Sequence, residues 1–128
     1  GSIDHCISCN ILDCVADPII HLQELERIQS QRGLISLFCP YDWSGNINTS
    51  DKWIGGTQQM GSLQGDTEAT LSWLLSSESP IEELRNCTIL KETSNIPWRI
   101  RLHNRSQMHY SIHHIDFNSM RKTIDNRI

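Results

Sequence analysis

The fold is decided by two stretches near the end of the chain, PWRIRLH at residues 97–103 and QMHYSIHHIDF at residues 107–117. Apolar and polar side chains alternate in both stretches, which is typical of β-strands that bury one face. A three-residue loop at 104–106 would pair Leu102 with Met108 and keep the apolar side chains together, whereas a two-residue turn would mix the two faces. The sequence therefore predicts an antiparallel hairpin closed by a three-residue loop.

The opposite face of this hairpin is predicted to be basic. In the expected register its members are Arg99 opposite Ser111, Arg101 opposite His109, and His113 further along the second strand. Guanidinium and imidazole groups on one surface suit phosphate or carboxylate, because arginine offers a forked pair of hydrogen-bond donors. This face is therefore a candidate anion-binding surface.

Charge is distributed unevenly along the chain. Residues 1–84 hold 3 basic and 12 acidic side chains, whereas residues 85–128 hold 8 basic and 3 acidic ones. The split supports two interpretations: an exposed anion site on the hairpin, or ion pairing between the two parts of the chain. The overall net charge of −4 excludes the highly basic class of nucleic-acid proteins, and no apolar run approaches the roughly 18 residues needed to span a bilayer.

Helices are predicted in the part of the chain that precedes the hairpin. Asp17-Pro18 combines an N-cap with proline at the first helical position, and Gly33 lies where the C-cap of this helix is expected. Asp66 can cap a second helix, and Ser79-Pro80-Ile81-Glu82 forms a capping box that predicts a third. Short strands are expected at 34–39 and 87–90. We therefore predict an α+β fold, with N-terminal helices packed on a small antiparallel sheet that ends in a long β-hairpin.

A single domain is predicted, because half of 128 residues would be too few to bury a good core. Gly1-Ser2 is typical of an expression-tag scar, so the domain is expected to cover residues 3–128 and to be excised from a larger protein. Isoleucine outnumbers valine 17 to 1. This compositional bias favours an AT-rich or a viral genome.

A long segment rich in turn-forming residues, 40–66, carries three aromatic side chains: Tyr41, Trp43 and Trp53. Long loops in small domains are often functional. These rings could stack on a base or a sugar. The alternative is that the tryptophans fix the loop to the core.

The spacing of cysteine and histidine gives a weak indication of a metal site. Cys6 and Cys9 have the C-x2-C spacing of a zinc knuckle, and His109 and His113 have the H-x3-H spacing of a second half-site. The two halves lie about a hundred residues apart, far beyond the spacing of a zinc finger. We therefore expect no cofactor, with structural zinc at Cys6 and Cys9 as the alternative.

The cysteines also bear on the cellular compartment. Five cysteines are too few for a disulfide scaffold, and an odd number leaves one unpaired, which favours reduced thiols in the cytoplasm or nucleus. Three Asn-x-Ser/Thr sequons, at Asn48, Asn86 and Asn104, keep a secreted protein as the alternative.

Together these features predict a non-enzymatic binding domain for an anionic partner, with RNA or a nucleotide first and an acidic protein surface second. The predicted ligand-binding residues are Arg99, Arg101, His109, His113, Tyr41, Trp43 and Trp53. One alternative is a small ribonuclease-type hydrolase, in which two hairpin histidines exchange a proton and Arg101 stabilises the phosphorane. A protein–protein interaction module is the third interpretation, and no membrane partner is expected.

Overall fold

A computed structural model describes residues 1–56 and 66–120 of the chain. Its strands and α-helices are β1 (Ile3–Cys9), α1 (Pro18–Ile28), β2 (Gln29–Cys39), α2 (Thr67–Leu74), β3 (Cys87–His103) and β4 (Ser106–Ser119). Short 3₁₀ turns span Leu12–Cys14, Ser50–Lys52 and Glu82–Asn86. The α+β class is therefore confirmed. No helix in the described ranges is long and apolar enough to cross a membrane.

The four strands form one mixed sheet in the order β1-β2-β4-β3. β1 and β2 are parallel, and β4 lies antiparallel between β2 and β3. The prediction of a purely antiparallel sheet with helices at the N-terminus is wrong, because β1 precedes the first helix. β1 carries no run of large apolar side chains: Ser8 lies against the helices and contacts His21, and His5 on the other face contacts Ser36. Such a strand leaves no periodic signal in the sequence.

Both predicted α-helix starts are confirmed. The carboxylate of Asp17 accepts from the backbone of Ile19 and Ile20, and Asp66 accepts from that of Ala69. The end of α1 differs from the prediction, because the chain becomes extended at once as β2. Gly33 thus lies inside β2, where an added Cβ would come within 2.9 Å of the Ile3 carbonyl oxygen. Glycine there permits the close approach of β1.

The predicted capping box produces a shorter element than expected. The hydroxyl of Ser79 accepts from the backbone of Ile81, but the helical segment that follows is only the 3₁₀ turn Glu82–Asn86. β3 begins directly afterwards at Cys87 and extends to His103, with register irregularities between Ile89 and Lys91 and between Thr93 and Ile96.

The hairpin keeps the predicted separation of faces with a different register. A two-residue turn, Asn104-Arg105, joins the strands, and the backbone N–H of Arg105 donates to the His103 ring at 3.2 Å. The observed pairs are Trp98 with Tyr110, Ile100 with Met108, Arg99 with His109, and Arg101 with Gln107. The predicted three-residue loop is therefore wrong. In a regular ladder a two-residue turn would mix the two faces of the hairpin. The irregularity between Arg101 and His103 prevents this and keeps the apolar side chains on one face.

The core lies between α1, α2 and one face of the sheet. Its fully buried members include Leu22, Leu71, Leu74, Ile35, Leu37, Ile115 and Phe117. β2 pairs with β4 only as far as Cys39 and His113. Beyond that point β3 and β4 continue as a two-stranded extension, residues 96–112, which we call the ribbon. Because β4 runs antiparallel to β2, the ribbon extends past the same edge of the sheet at which β1 and β2 end.

Candidate functional site

The carboxyl ends of β1 and β2 are each followed by a residue in left-handed conformation. Asn10 has φ 58° and Tyr41 has φ 56°. Left-handed backbone is costly for residues other than glycine, and it is concentrated at functional sites. The carboxyl ends of parallel strands are also where open α/β sheets bind ligands. Two independent features therefore indicate a candidate ligand site at this edge of the sheet, where β1 and β2 end.

A buried carboxylate joins the two loops at this edge. Asp13 is only 3% exposed. Its Oδ2 accepts from the backbone N–H of Asp42 at 2.6 Å, and its Oδ1 accepts from the thiol of Cys14 at 3.3 Å. Asp13 thus holds the loop after β2 against the loop after β1.

A cavity of about 250 Å³ opens between these loops and the base of the ribbon. We call it the edge pocket, and its functional lining is formed by Asn10, Asp13, Asp42, Trp98 and Tyr110. The rings of Trp98 and Tyr110 stack with centroids 5.2 Å apart, and the Tyr110 hydroxyl donates to Asp42 at 3.3 Å. The pocket therefore combines an aromatic wall with two carboxylates and an amide.

Asn10 has unused hydrogen-bonding capacity at this pocket. Its backbone N–H donates to the Phe38 carbonyl at 2.7 Å. Its side-chain Oδ1 is buried and has no hydrogen-bond partner within residues 1–56 and 66–120. A buried polar atom without a partner costs free energy, so it is often satisfied by a ligand or a bound water.

The predicted site residues Tyr41 and His113 meet in a second cluster, on the helix-covered side of the sheet. His113 is 1% exposed. Its Nε2 donates to the Glu92 carboxylate at 2.5 Å and lies 3.9 Å from Glu68, and its Nδ1 accepts from the Tyr41 hydroxyl. We call these four residues the His113 cluster. His113 therefore does not share an exposed surface with Arg101, because the helices cover its part of the sheet.

Burial sets the protonation of the groups near this cluster. Burial, with the neighbouring Cys39 thiol and the carboxylates of Glu68 and Glu92, raises the pKa of the Tyr41 hydroxyl well above its ordinary value. Burial also raises the pKa of Cys39 to about 12. Tyr41 therefore stays a phenol and Cys39 a thiol at neutral pH.

The two predicted tryptophans are held within the protein. The Trp43 indole stacks on Tyr41 with centroids 6.3 Å apart and donates to Thr67 at 3.1 Å. The Trp53 indole donates to the buried Asn48 at 2.8 Å. Tyr41 and Trp43 pack against the core. This arrangement matches the alternative in which the aromatic side chains fix the loop.

Arg99, Arg101 and His109 lie exposed on one face of the ribbon. In the part of the chain that the structure describes, neither arginine forms an ion pair, and the same holds for Arg105 in the turn. The alternative in which ion pairs with acidic side chains neutralise this face is thus not seen among those residues. His109 and His113 are separated by about 13 Å of extended chain, so this pair of histidines does not meet at one phosphorus atom.

The predicted zinc knuckle is part of strand β1. Cys6 packs against the core, whereas Cys9 is exposed, because residues three apart in a strand point to opposite faces. The two thiols therefore do not converge on one ion. All five cysteines are free thiols.

Sequence reasoning missed Asn10, Asp13, Glu68 and Glu92. Had Ile3–Cys9 been assigned as a strand, Asn10 would have been found as the residue that follows it. No sequence signal reveals Glu92, because its orientation depends on an irregularity in β3. Comparison with models of known protein families finds no match, and comparison with curated proteins finds none either. Function is therefore inferred from the geometry of the two sites and the ribbon.

Proposed function

We propose that the protein is a ligand-binding domain whose edge pocket takes a planar ring bearing hydrogen-bond donors, such as a nucleoside. The observation that carries this proposal is that Asn10 lines the pocket and that its buried Oδ1 has no hydrogen-bond partner among the described residues. Because Oδ1 only accepts, it would be satisfied by an N–H or O–H of the ligand. The left-handed backbone of Asn10 and Tyr41 supports the same location.

The aromatic wall supports a flat ligand. Trp98 is 36% exposed, so one face of its indole remains available beside the ring of Tyr110. Stacking of a base on an aromatic side chain contributes about 1–3 kcal/mol and tolerates different bases. Carboxylates such as Asp42 bind the hydroxyls of a ribose in many nucleotide sites.

The charge of the pocket favours a ligand without phosphate. Asp13 and Asp42 line it, and no lysine or arginine of the described residues does. A phosphate would therefore meet carboxylates without a compensating cation. A nucleoside, neutral or cationic, fits this environment better than a nucleotide.

The test is titration of the protein with adenosine and with adenosine monophosphate by isothermal calorimetry. Asn10→Gly keeps the left-handed backbone and removes the amide, so we expect adenosine affinity to fall about tenfold through the lost hydrogen bond. Asn95→Gly is the matched control, because Asn95 has the same φ of 58° and does not line the pocket.

Adenosine should bind more tightly than its monophosphate, and the Asn95→Gly variant should match the wild-type protein. Equal affinities of the Asn10→Gly and Asn95→Gly variants would place the ligand elsewhere. Absence of saturable adenosine binding would refute the nucleoside class.

We propose a second function, binding of single-stranded RNA, on the strength of a separate observation. Arg99, Arg101 and Arg105 project from the ribbon without an ion-pair partner among the residues that the structure describes. Guanidinium groups in this arrangement suit phosphates. Because the aromatic side chains of segment 40–53 pack inward, we place the RNA on the ribbon alone.

RNA binding through the ribbon should depend steeply on salt, because each neutralised phosphate releases a counterion. Replacing Arg99 and Arg101 together by glutamine should lower the slope of log affinity against log salt for a short poly(U) strand by about 1.4, since each phosphate contact to a single strand contributes about 0.7. Fluorescence anisotropy measures this slope. The charge-matched control replaces Arg27 and Arg32, which lie outside the ribbon. Identical slopes for the two double variants, or affinity independent of salt, would exclude the ribbon as an RNA site.

A further inference from the structure

We propose that Glu68, Glu92 and His113 form a binding site for one divalent cation of the zinc class. The three residues come from three elements, α2, β3 and β4, and their ligand atoms all lie within 4.8 Å of one another. They are the one such group of three among residues 1–56 and 66–120. A metal site requires ligand atoms that converge on one point, as these do.

An irregularity in β3 directs Glu92 toward His113. The register of β3 against β4 shifts between Ile89 and Lys91, so that Glu92 lies opposite Ile115 on the helix-covered face. In an unbroken strand Lys91 would take that position and bring an ammonium group to His113. The extra residue therefore brings the carboxylate of Glu92, and not the ammonium group of Lys91, to His113.

The cluster holds two carboxylates without a fixed cation. Glu92 contacts His113, and Glu68 accepts from the hydroxyl of Ser94 at 2.7 Å. Within the described ranges neither glutamate is paired with a lysine or arginine. Both carboxylates are about two-fifths exposed, while the imidazole beneath them is buried. An ion could therefore enter from solvent between the glutamates and reach Nε2.

Tyr41 supplies the outer contact that a metal-binding imidazole needs. A histidine that binds a metal through one nitrogen donates its other N–H to an oxygen, which fixes the ring and its tautomer. With a cation held at Nε2, the other ring nitrogen would carry the N–H, and the Tyr41 oxygen beside it would accept from that group. A hydroxyl can take either role, so the ring needs no rearrangement.

The donor set selects the kind of ion. One imidazole nitrogen and two carboxylate oxygens suit zinc and its neighbours, and water can complete a tetrahedral site. Magnesium and calcium prefer oxygen ligands alone. We therefore expect zinc to bind more tightly than magnesium.

Cobalt(II) titration of the full chain followed by absorption spectroscopy tests this site, because cobalt occupies zinc sites and reports its ligands. Ligation by nitrogen and oxygen gives ligand-field bands without the intense sulfur-to-cobalt charge-transfer band that the free cysteines would produce. We expect one equivalent to bind with the former spectrum and to be displaced by zinc but not by magnesium.

Variants of Glu68 and Glu92 test whether the bound cobalt occupies this site. Glu92→Gln and Glu68→Gln should each weaken cobalt binding by more than tenfold, and Tyr41→Phe by about tenfold as a loss of an outer contact. Glu82→Gln, a change at an exposed glutamate on the 3₁₀ turn, is the matched control. Circular dichroism verifies that each variant is folded. Equal cobalt affinity in Glu92→Gln and Glu82→Gln, a spectrum of sulfur ligation alone, or no binding would overturn the proposal.

Discussion

Replacing Phe117 by alanine is expected to lower the free energy of unfolding by about 3–5 kcal/mol. Phe117 lies in the central strand β4, is fully buried, and pairs with Ile35 on one side and Ile89 on the other. Its removal opens a cavity where the sheet meets both helices, and the surrounding side chains cannot close it without moving the sheet. Urea denaturation should show an earlier midpoint with an unchanged slope.

Phe38→Ala is the control for this experiment. Phe38 lies on the opposite face of the sheet, is half-buried, and stacks on His114 with centroids 4.1 Å apart. Its loss removes one aromatic pair and part of a buried surface, so a smaller cost of about 1–2 kcal/mol is expected. Equal destabilisation by the two substitutions would mean that the core is not confined to the helix-covered face.

Local signals in the sequence predicted the parts of the fold that depend on neighbouring residues. The Asp17 cap and the alternation of residues 107–117 each identify an element, because their physical cause lies within a few positions. β1 was missed, since a strand with cysteine and serine on one face and histidine and cysteine on the other has no hydrophobic period. The register of the hairpin was missed for a related reason: the irregularity near His103 depends on contacts in the turn.

The candidate sites show the same limit. Tyr41 and His113 were both identified from the sequence, but as parts of two different surfaces. Strand alternation assigns His113 to the face of Arg101, yet it does not tell how far along the strand the helices cover that face. The pairing between β2 and β4 extends as far as His113, so this residue lies under the helices. Tyr41, just beyond the end of β2, therefore contacts the His113 ring.

Asp13 is expected to have the second largest effect on stability. Asp13→Ala removes the acceptor of the Asp42 backbone N–H and of the Cys14 thiol, and we expect it to cost about 1–3 kcal/mol. Asp13→Asn keeps an oxygen acceptor and nearly the same shape, so its cost should be smaller. Asp51→Ala, at an exposed carboxylate, should change the free energy of unfolding by less than about 0.5 kcal/mol.

Amide hydrogen exchange separates this role from a general loss of stability. If Asp13 holds the two loops together, the N–H of Asp42 should exchange faster in Asp13→Ala, while the N–H of Leu37 in the centre of β2 should change only as much as global stability does. Adenosine affinity should fall in the same variant, because the loop that carries Asp42 would no longer be fixed at the edge pocket. Unchanged exchange at Asp42 together with an unchanged urea midpoint would show that Asp13 does not connect the ends of β1 and β2. The pocket would then depend on Asn10 and the aromatic wall alone.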